Sequence, residues 1–90
     1  MQLVWRPKAR AELRAILTFI GERSTAAAEK LRAQIESTAE KLVDHPLMFR
    51  TGRVLGTREA IAHPNYILVY KVSTDTIFVV SVLHATQEYP

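Results

Sequence analysis

Residues 57–84, TREAIAHPNYILVYKVSTDTIFVVSVLH, decide the fold. The stretch divides into three consecutive strands joined by two tight turns. In the run from Tyr66 to Val72, Tyr66, Leu68, Tyr70 and Val72 point to one face and Ile67, Val69 and Lys71 to the other. The run from Ile77 to Leu83 is apolar on both parities, Ile77, Val79 and Leu83 against Phe78, Val80 and Val82. Strands apolar on one face need one covering layer, whereas these two need a cover on each side.

Working outward, Arg58 to Ala62 forms the strand before them. His63, Pro64 and Asn65 make the first turn, with Pro64 suited to position i+1 and Asn65 tolerated at i+2. Ser73 to Thr76 makes the second. Upstream, Leu47 to Gly56 (LMFRTGRVLG) carries Arg50, Arg53, two glycines and no acid. It reads as a loop plus a short edge strand. Downstream, ATQEYP is polar apart from Tyr89 and is expected to leave the sheet.

The first half of the chain is helical in pattern. Gln2 to Trp5 is a short strand with Leu3 and Trp5 on one face. Pro7 suits the first turn of a helix, where its missing N–H costs nothing. Ala9, Leu13, Ile16, Leu17 and Ile20 then fall at helical spacing, with Lys8, Arg10, Glu12 and Arg14 on the polar side. Gly21 sits at or near the end of that helix. Ser24 or Thr25 can cap a second helix, with Glu29 near its positive end. Ala28, Leu31, Ile35, Ala39 and Leu42 form the inward face, and His45-Pro46 stops the helix. So short a link makes the two helices an antiparallel hairpin.

These elements predict one α+β domain over residues 1–90. A short N-terminal strand leads into a helical hairpin, and a mainly antiparallel sheet follows, in the order β-α-α-β-β-β. The hairpin covers one face of the sheet, and no further helix remains for the other. That second face is therefore expected to be partly bare and to seek a partner, unless strand twist, the tail or a second copy hides it.

Composition narrows the function classes. The apolar fraction of 48% is ordinary for a globular chain. No cysteine is present, which removes disulfides and thiolate metal sites and suits a reducing compartment. The run from Ile77 to Leu83 is far shorter than the roughly 20 residues of a membrane span. MQLVWRPKAR has neither the apolar core nor the cleavage site of a signal peptide, so cytoplasmic residence without membrane attachment is expected. The net charge of +3 and pI near 9.6 lean mildly toward acidic partners or nucleic acid. Neither a metal site nor a cofactor is expected.

The ordered residues resemble the RelE/ParE toxin superfamily. Val4 and Pro7, then Ala9, Leu13, Ile16, Phe19 and Ile20, then Leu42 and Pro46 carry the likeness through the first half. Gly56-Thr57-Arg58-Glu59, Tyr66 with Val69-Tyr70, Val82-Leu83-His84 and Tyr89-Pro90 carry it through the second. HPNYILVY followed by VLHATQEYP resembles the ParE branch in particular. The resemblance implies the toxin of a type II toxin–antitoxin pair, neutralised by a cognate antitoxin that wraps sheet and helices. DNA would then be reached only indirectly, through the antitoxin at its operator.

Targets differ within the superfamily. ParE-like members poison DNA gyrase without evident hydrolysis, while other members resemble ribonucleases that cut messenger RNA on the ribosome. RNA cleavage needs a base for the 2′-hydroxyl, cations for the phosphorane and an acid for the leaving oxygen. Arg58 matches the arginine that ribonuclease members place on the strand after the hairpin, and His84, at the end of the last strand, stands near where they put acid/base or basic groups. Against this, Ile67 stands where many ribonucleases carry an arginine, and Ala85, Thr86 and Gln87 supply no further base or cation. Binding to gyrase is therefore the leading expectation. A ribosome-dependent ribonuclease is the alternative, and a non-toxic partner-binding domain of the same fold the second alternative. Arg50, Arg53, Arg58, Tyr66, Tyr70, His84 and Tyr89 are the candidate target- or antitoxin-binding residues. Arg50, Arg53 and Arg58 are expected to form one positive patch. His45 and His63, each before a proline, are expected to be structural.

Overall fold

The computed structural model describes all of residues 1–90. In chain order the elements are β1 (Gln2–Trp5), α1 (Pro7–Gly21), α2 (Thr25–Asp44), β2 (Arg50–Thr51), β3 (Arg58–His63), β4 (Tyr66–Val72) and β5 (Thr76–His84). The strands form one sheet in the order β1-β5-β4-β3-β2. β1 runs parallel to β5 and every other pairing is antiparallel. The α+β architecture read from the sequence is the one observed, with the two-residue β2 as the anticipated edge strand.

Local chemistry explains the element ends. Pro7 opens α1 without a side-chain cap, and Ser24 caps α2 by accepting a hydrogen bond from the Ala27 amide at 3.1 Å. Gly21 is the last residue of α1, yet only Gly56 has a positive φ, at 83°. Gly21 therefore ends its helix without a left-handed cap. Its neighbour there is the Ala28 Cβ, 3.7 Å from where a Gly21 Cβ would stand. Ala9 and Leu17 of α1 and Leu31, Ile35, Ala39 and Leu42 of α2 bury against Leu68, Tyr70, Ile77, Val79 and Val82 of the sheet.

The face assignment along β5 needs a correction. Val69 is registered with Ser81 but Tyr70 with Val79, so β5 carries one extra residue there. A bulge of this kind reverses the parity of everything beyond it. Val82 thus joins Ile77 and Val79 in the helix-side core, and Leu83, opposite Ile67, goes to the outer face. The bulge leaves the Val82 amide free to donate to Glu12 Oε1 at 3.2 Å, and Ser81 Oγ donates to the same oxygen at 2.8 Å. Glu12 therefore does not lie on the solvent side of α1. It tethers that helix to the part of β5 beyond its pairing with β1.

The outer face is less bare than two helices alone would leave it. Ile67, Val69 and Leu83 are only 3%, 3% and 4% exposed. The last six residues do not leave the sheet. The Ala85 amide donates to the Asn65 carbonyl at 2.7 Å and the Gln87 amide to that of His84 at 2.9 Å. Tyr89 then reaches β3 and donates its hydroxyl to Glu59. The physical reason is Glu59 itself, a buried carboxylate that must collect donors wherever the chain can bring them. Val4 and Ile61 remain exposed on this face.

Tyr70 links sheet and helices. Its ring is fully buried, meets Phe49 edge-on at 6.4 Å, and its hydroxyl donates to the Pro46 carbonyl at 2.8 Å. Burial pushes its phenol above the ordinary value near 10, with the Arg58 guanidinium pulling the other way. The folded state therefore holds this proton more tightly than the unfolded state. That contribution is intact below about pH 10 and is lost as pH rises through the folded value. Tyr70→Phe is expected to cost about 1–2 kcal/mol at neutral pH through the lost hydrogen bond. It should also flatten the decline of stability above about pH 10. Urea unfolding of both proteins between neutral and strongly alkaline pH measures both effects.

Candidate functional site

β3 and its neighbours place the candidate residues in three separate groups. The first is centred on Glu59, whose carboxylate is 2% exposed. Register sets Arg50 opposite Glu59, and Oε1 accepts from Arg50 Nε at 3.2 Å and Nη2 at 2.9 Å. Oε2 accepts from the Arg53 amide at 3.1 Å and from the Tyr89 hydroxyl, with Arg53 Nε at 3.4 Å. The Arg53 guanidinium also lies over the Tyr89 ring, 4.4 Å from its centroid. Arg50, Arg53 and Tyr89 are thus brought together, each partly satisfied within the chain.

Arg58 stands apart from that group. Strand alternation sends it to the helix side, opposite Tyr70, where Nη1 donates to the Phe49 carbonyl at 2.7 Å and the Leu47 carbonyl at 3.4 Å. It fastens the α2–β2 loop. The single patch of three arginines expected from their spacing does not form, because neighbours on a strand face opposite ways. Tyr70, buried beneath the same loop, offers no surface to a partner.

The third group is a row of rings at the other end of the sheet. Tyr66 lies between His63, 5.9 Å away, and His84, 5.4 Å away and edge-on. His84 Nδ1 accepts from the Thr86 amide at 3.2 Å, so neutral His84 carries its proton on Nε2. His63 Nδ1 likewise accepts from the Asn65 amide at 3.0 Å, which gives the residue expected to be structural a bond within its turn. Arg58 and His84 are far apart. Arg58 is level with Tyr70 and His84 with Tyr66, on opposite sides of β4. Four residues along a strand and two strand spacings across amount to about 16 Å between backbones. No cluster of side chains fit to hold a metal is present.

A groove that sequence reasoning missed runs between α1 and α2. It encloses about 730 Å³ above β1, with Leu3, Trp5, Leu13 and Ala28 among its apolar lining. Arg10 and Arg14 line the α1 wall, while Glu29, Glu36 and Glu40 line the α2 wall beside Arg32. None of these charges is paired, since every ion pair in the chain is made by Glu59. The i, i+4 spacing of Arg10 with Arg14, and of Glu36 with Glu40, was visible. That the two rows face each other was not.

A five-stranded sheet under a helical hairpin, with an open charged groove, defines a small α+β domain. Residues 3–89 match the family described as ParE toxin of type II toxin-antitoxin system, parDE. Toxin RelE2 of Caulobacter vibrioides is 30% identical over 86 residues, covering 96% of this chain and 97% of that protein. A chain from the chromosomal ParDE TA system of P. aeruginosa superposes with a TM-score of 0.71 at 21% identity, covering 93% of this chain and 95% of that one. The chain belongs to the ParE toxin family of type II toxin–antitoxin systems.

The Glu59 group depends on a tight loop. Gly52 approaches Thr57 so closely that an added Cβ would lie 2.2 Å from Thr57 Oγ1 and 3.2 Å from its carbonyl carbon. Thr57 cannot readily move, being 6% exposed and donating to the Val54 carbonyl at 2.6 Å. Gly52→Ala is expected to destabilise the fold by about 1–3 kcal/mol, as overpacking of a well-filled site does. Denaturant unfolding of the purified variant measures the loss.

Proposed function

We propose that this ParE-family toxin acts by binding DNA gyrase rather than by cutting RNA. A cognate antitoxin then silences it by laying an amphipathic segment in the α1–α2 groove. The observation that carries the first half is the separation of Arg58 from His84. A phosphodiester in cleavage needs its cation and its proton-transfer group within a few ångströms of one scissile phosphate. Here their backbones lie about 16 Å apart across the sheet, and the Arg58 guanidinium is turned to the Phe49 and Leu47 carbonyls of the loop after α2. Binding makes no such demand, and inhibition of gyrase accords with the ParE family assignment.

The groove supports the second half. Its apolar floor fits the buried face of a helix, and its walls carry opposite charge. The fitting segment places acidic residues against Arg10 and Arg14 and basic residues against Glu36 and Glu40, which fixes its direction. No helix of the chain is long and apolar enough to cross a membrane. That accords with a toxin meeting gyrase and antitoxin in the cytoplasm, with operator DNA contacted only through the antitoxin.

Two outcomes are expected. His84→Gln, which preserves size and hydrogen bonding, remains toxic in cells, with DNA damage and without cleavage of messages. A folded, antitoxin-binding His84→Gln that has lost toxicity, beside wild-type cleavage of ribosome-bound messages, favours the ribonuclease instead. Arg14→Glu cancels the positive charge of the α1 wall and should weaken antitoxin binding about tenfold, equivalent to roughly 1.4 kcal/mol. It should also slow association and reduce its salt dependence. An unchanged on-rate, affinity and salt slope places the antitoxin elsewhere.

A further inference from the structure

We propose that residues 85–90 are a strap that opens and closes over the outer face of the sheet, with Tyr89 as the one side chain that anchors its far end to β3, the Thr86 and Gln87 side chains bonding only to His84 at its root. The proposal concerns the free chain and stands whatever the toxin's target. In the closed state Ile67, Val69 and Leu83 are 3%, 3% and 4% exposed. The strap's backbone is fixed only at its start, where Ala85 bonds to Asn65 and Gln87 to His84. No backbone hydrogen bond is made by Glu88 or Tyr89. What returns the strap to the sheet is the Tyr89 hydroxyl on Glu59 and the Tyr89 ring beneath Arg53. The Arg53 guanidinium adds a long contact to the Gln87 carbonyl, 3.4 Å.

Opening is made easy by the way Glu59 is satisfied. When Tyr89 lifts away, Oε1 keeps both donors from Arg50, and Oε2 keeps the Arg53 amide and side chain. The carboxylate stays neutralised and hydrogen-bonded, so release strands no buried charge. The Arg50 and Arg53 side chains are 54% and 42% exposed, and water or an anion can replace the phenol. A segment rooted at one end, held at the other by a single side chain and lacking ladder hydrogen bonds opens independently of the strands beneath it.

What opens is specific. Ile61 is opposite Ile67, and Ile67 opposite Leu83, so the three form one row across β3, β4 and β5. Only Ile61, at 57%, is exposed in the closed state. Lifting the strap extends that single exposed side chain into an apolar row with Val69 beside it and Arg50 and Arg53 near its end. The strap therefore controls whether the free toxin shows a continuous apolar row or only isolated apolar side chains on this face.

The test uses the chain of residues 1–90, its Tyr89→Ala and Tyr89→Phe variants and, as a control, the exposed Glu88→Gln. Hydrogen exchange of the Ala85 and Gln87 amides is measured beside that of β4 and β5 amides, with bis-ANS fluorescence reporting apolar exposure. Tyr89→Ala should lose at least tenfold protection at Gln87 and bind several-fold more dye, while β4 and β5 amides and the far-ultraviolet circular dichroism stay as in the wild type. Tyr89→Phe, keeping the ring under Arg53, should fall between, and Glu88→Gln should match the wild type. Wild-type protection at Gln87 and wild-type dye binding in Tyr89→Ala would overturn the proposal. So would an equal loss of protection throughout β4 and β5 in both Tyr89 variants, which would make the tail an inseparable part of the core.

Discussion

Two strands apolar on both faces need two covers, and this chain has one helical layer. Most of its structure answers that constraint. α1 and α2 take the face carrying Leu68, Tyr70, Ile77, Val79 and Val82. The other face, with Ile67, Val69 and Leu83, is buried as well. Burial of three aliphatic side chains there is worth several kcal/mol, at roughly 1.5–3 kcal/mol each. A domain of this size cannot forgo such a contribution, because its stability is a small difference between large terms. The tail crosses to β3 to supply part of that cover.

Charge is arranged by the same need. The outer cover is tied down by a carboxylate, and a buried carboxylate is tolerated only where cations and donors surround it. Glu59 draws Arg50 from β2, Arg53 from the loop and Tyr89 from the tail, so three segments distant in sequence meet at one side chain. Glu12 plays a comparable part on the opposite edge, satisfying the amide that the β5 bulge sets free. The two acids that organise the fold are thus the two that turn away from solvent. The remaining charges on the hairpin stay unpaired along the groove, available to a partner of opposite pattern.

Function follows from which residues are left over. Arg58 and Tyr70 are consumed in holding the loop after α2, and His84 is one ring of a row far from them. An arginine spent on backbone carbonyls and separated from the histidine is the ground for the proposed binding mechanism. The groove supplies a surface for binding, with an apolar floor and polarised walls. Family membership places that surface in a toxin made with an antitoxin, for which a tight and reversible protein contact is the central requirement.

Much of this was legible from residues alone. Period-two alternation in Tyr66–Val72, helical spacing from Ala9 to Ile20, Pro7, Ser24 and His45-Pro46 determine the elements, since each signal lies within a few residues of the structure it specifies. The resemblance carried by GTRE, HPNYILVY and VLHATQEYP determines the family. Tertiary structure alone decided the rest. The extra residue in β5 exchanges Val82 and Leu83 between faces, which no pattern of hydrophobicity can show when both are apolar. The return of Tyr89 to Glu59 joins residues 30 positions apart. The parting of Arg58 from Arg50 and Arg53 depends on which strand pairs with which, and the groove on how two helices lie over β1. Local periodicity is written in neighbouring residues, whereas register and packing arise only when distant segments compete for the same partners.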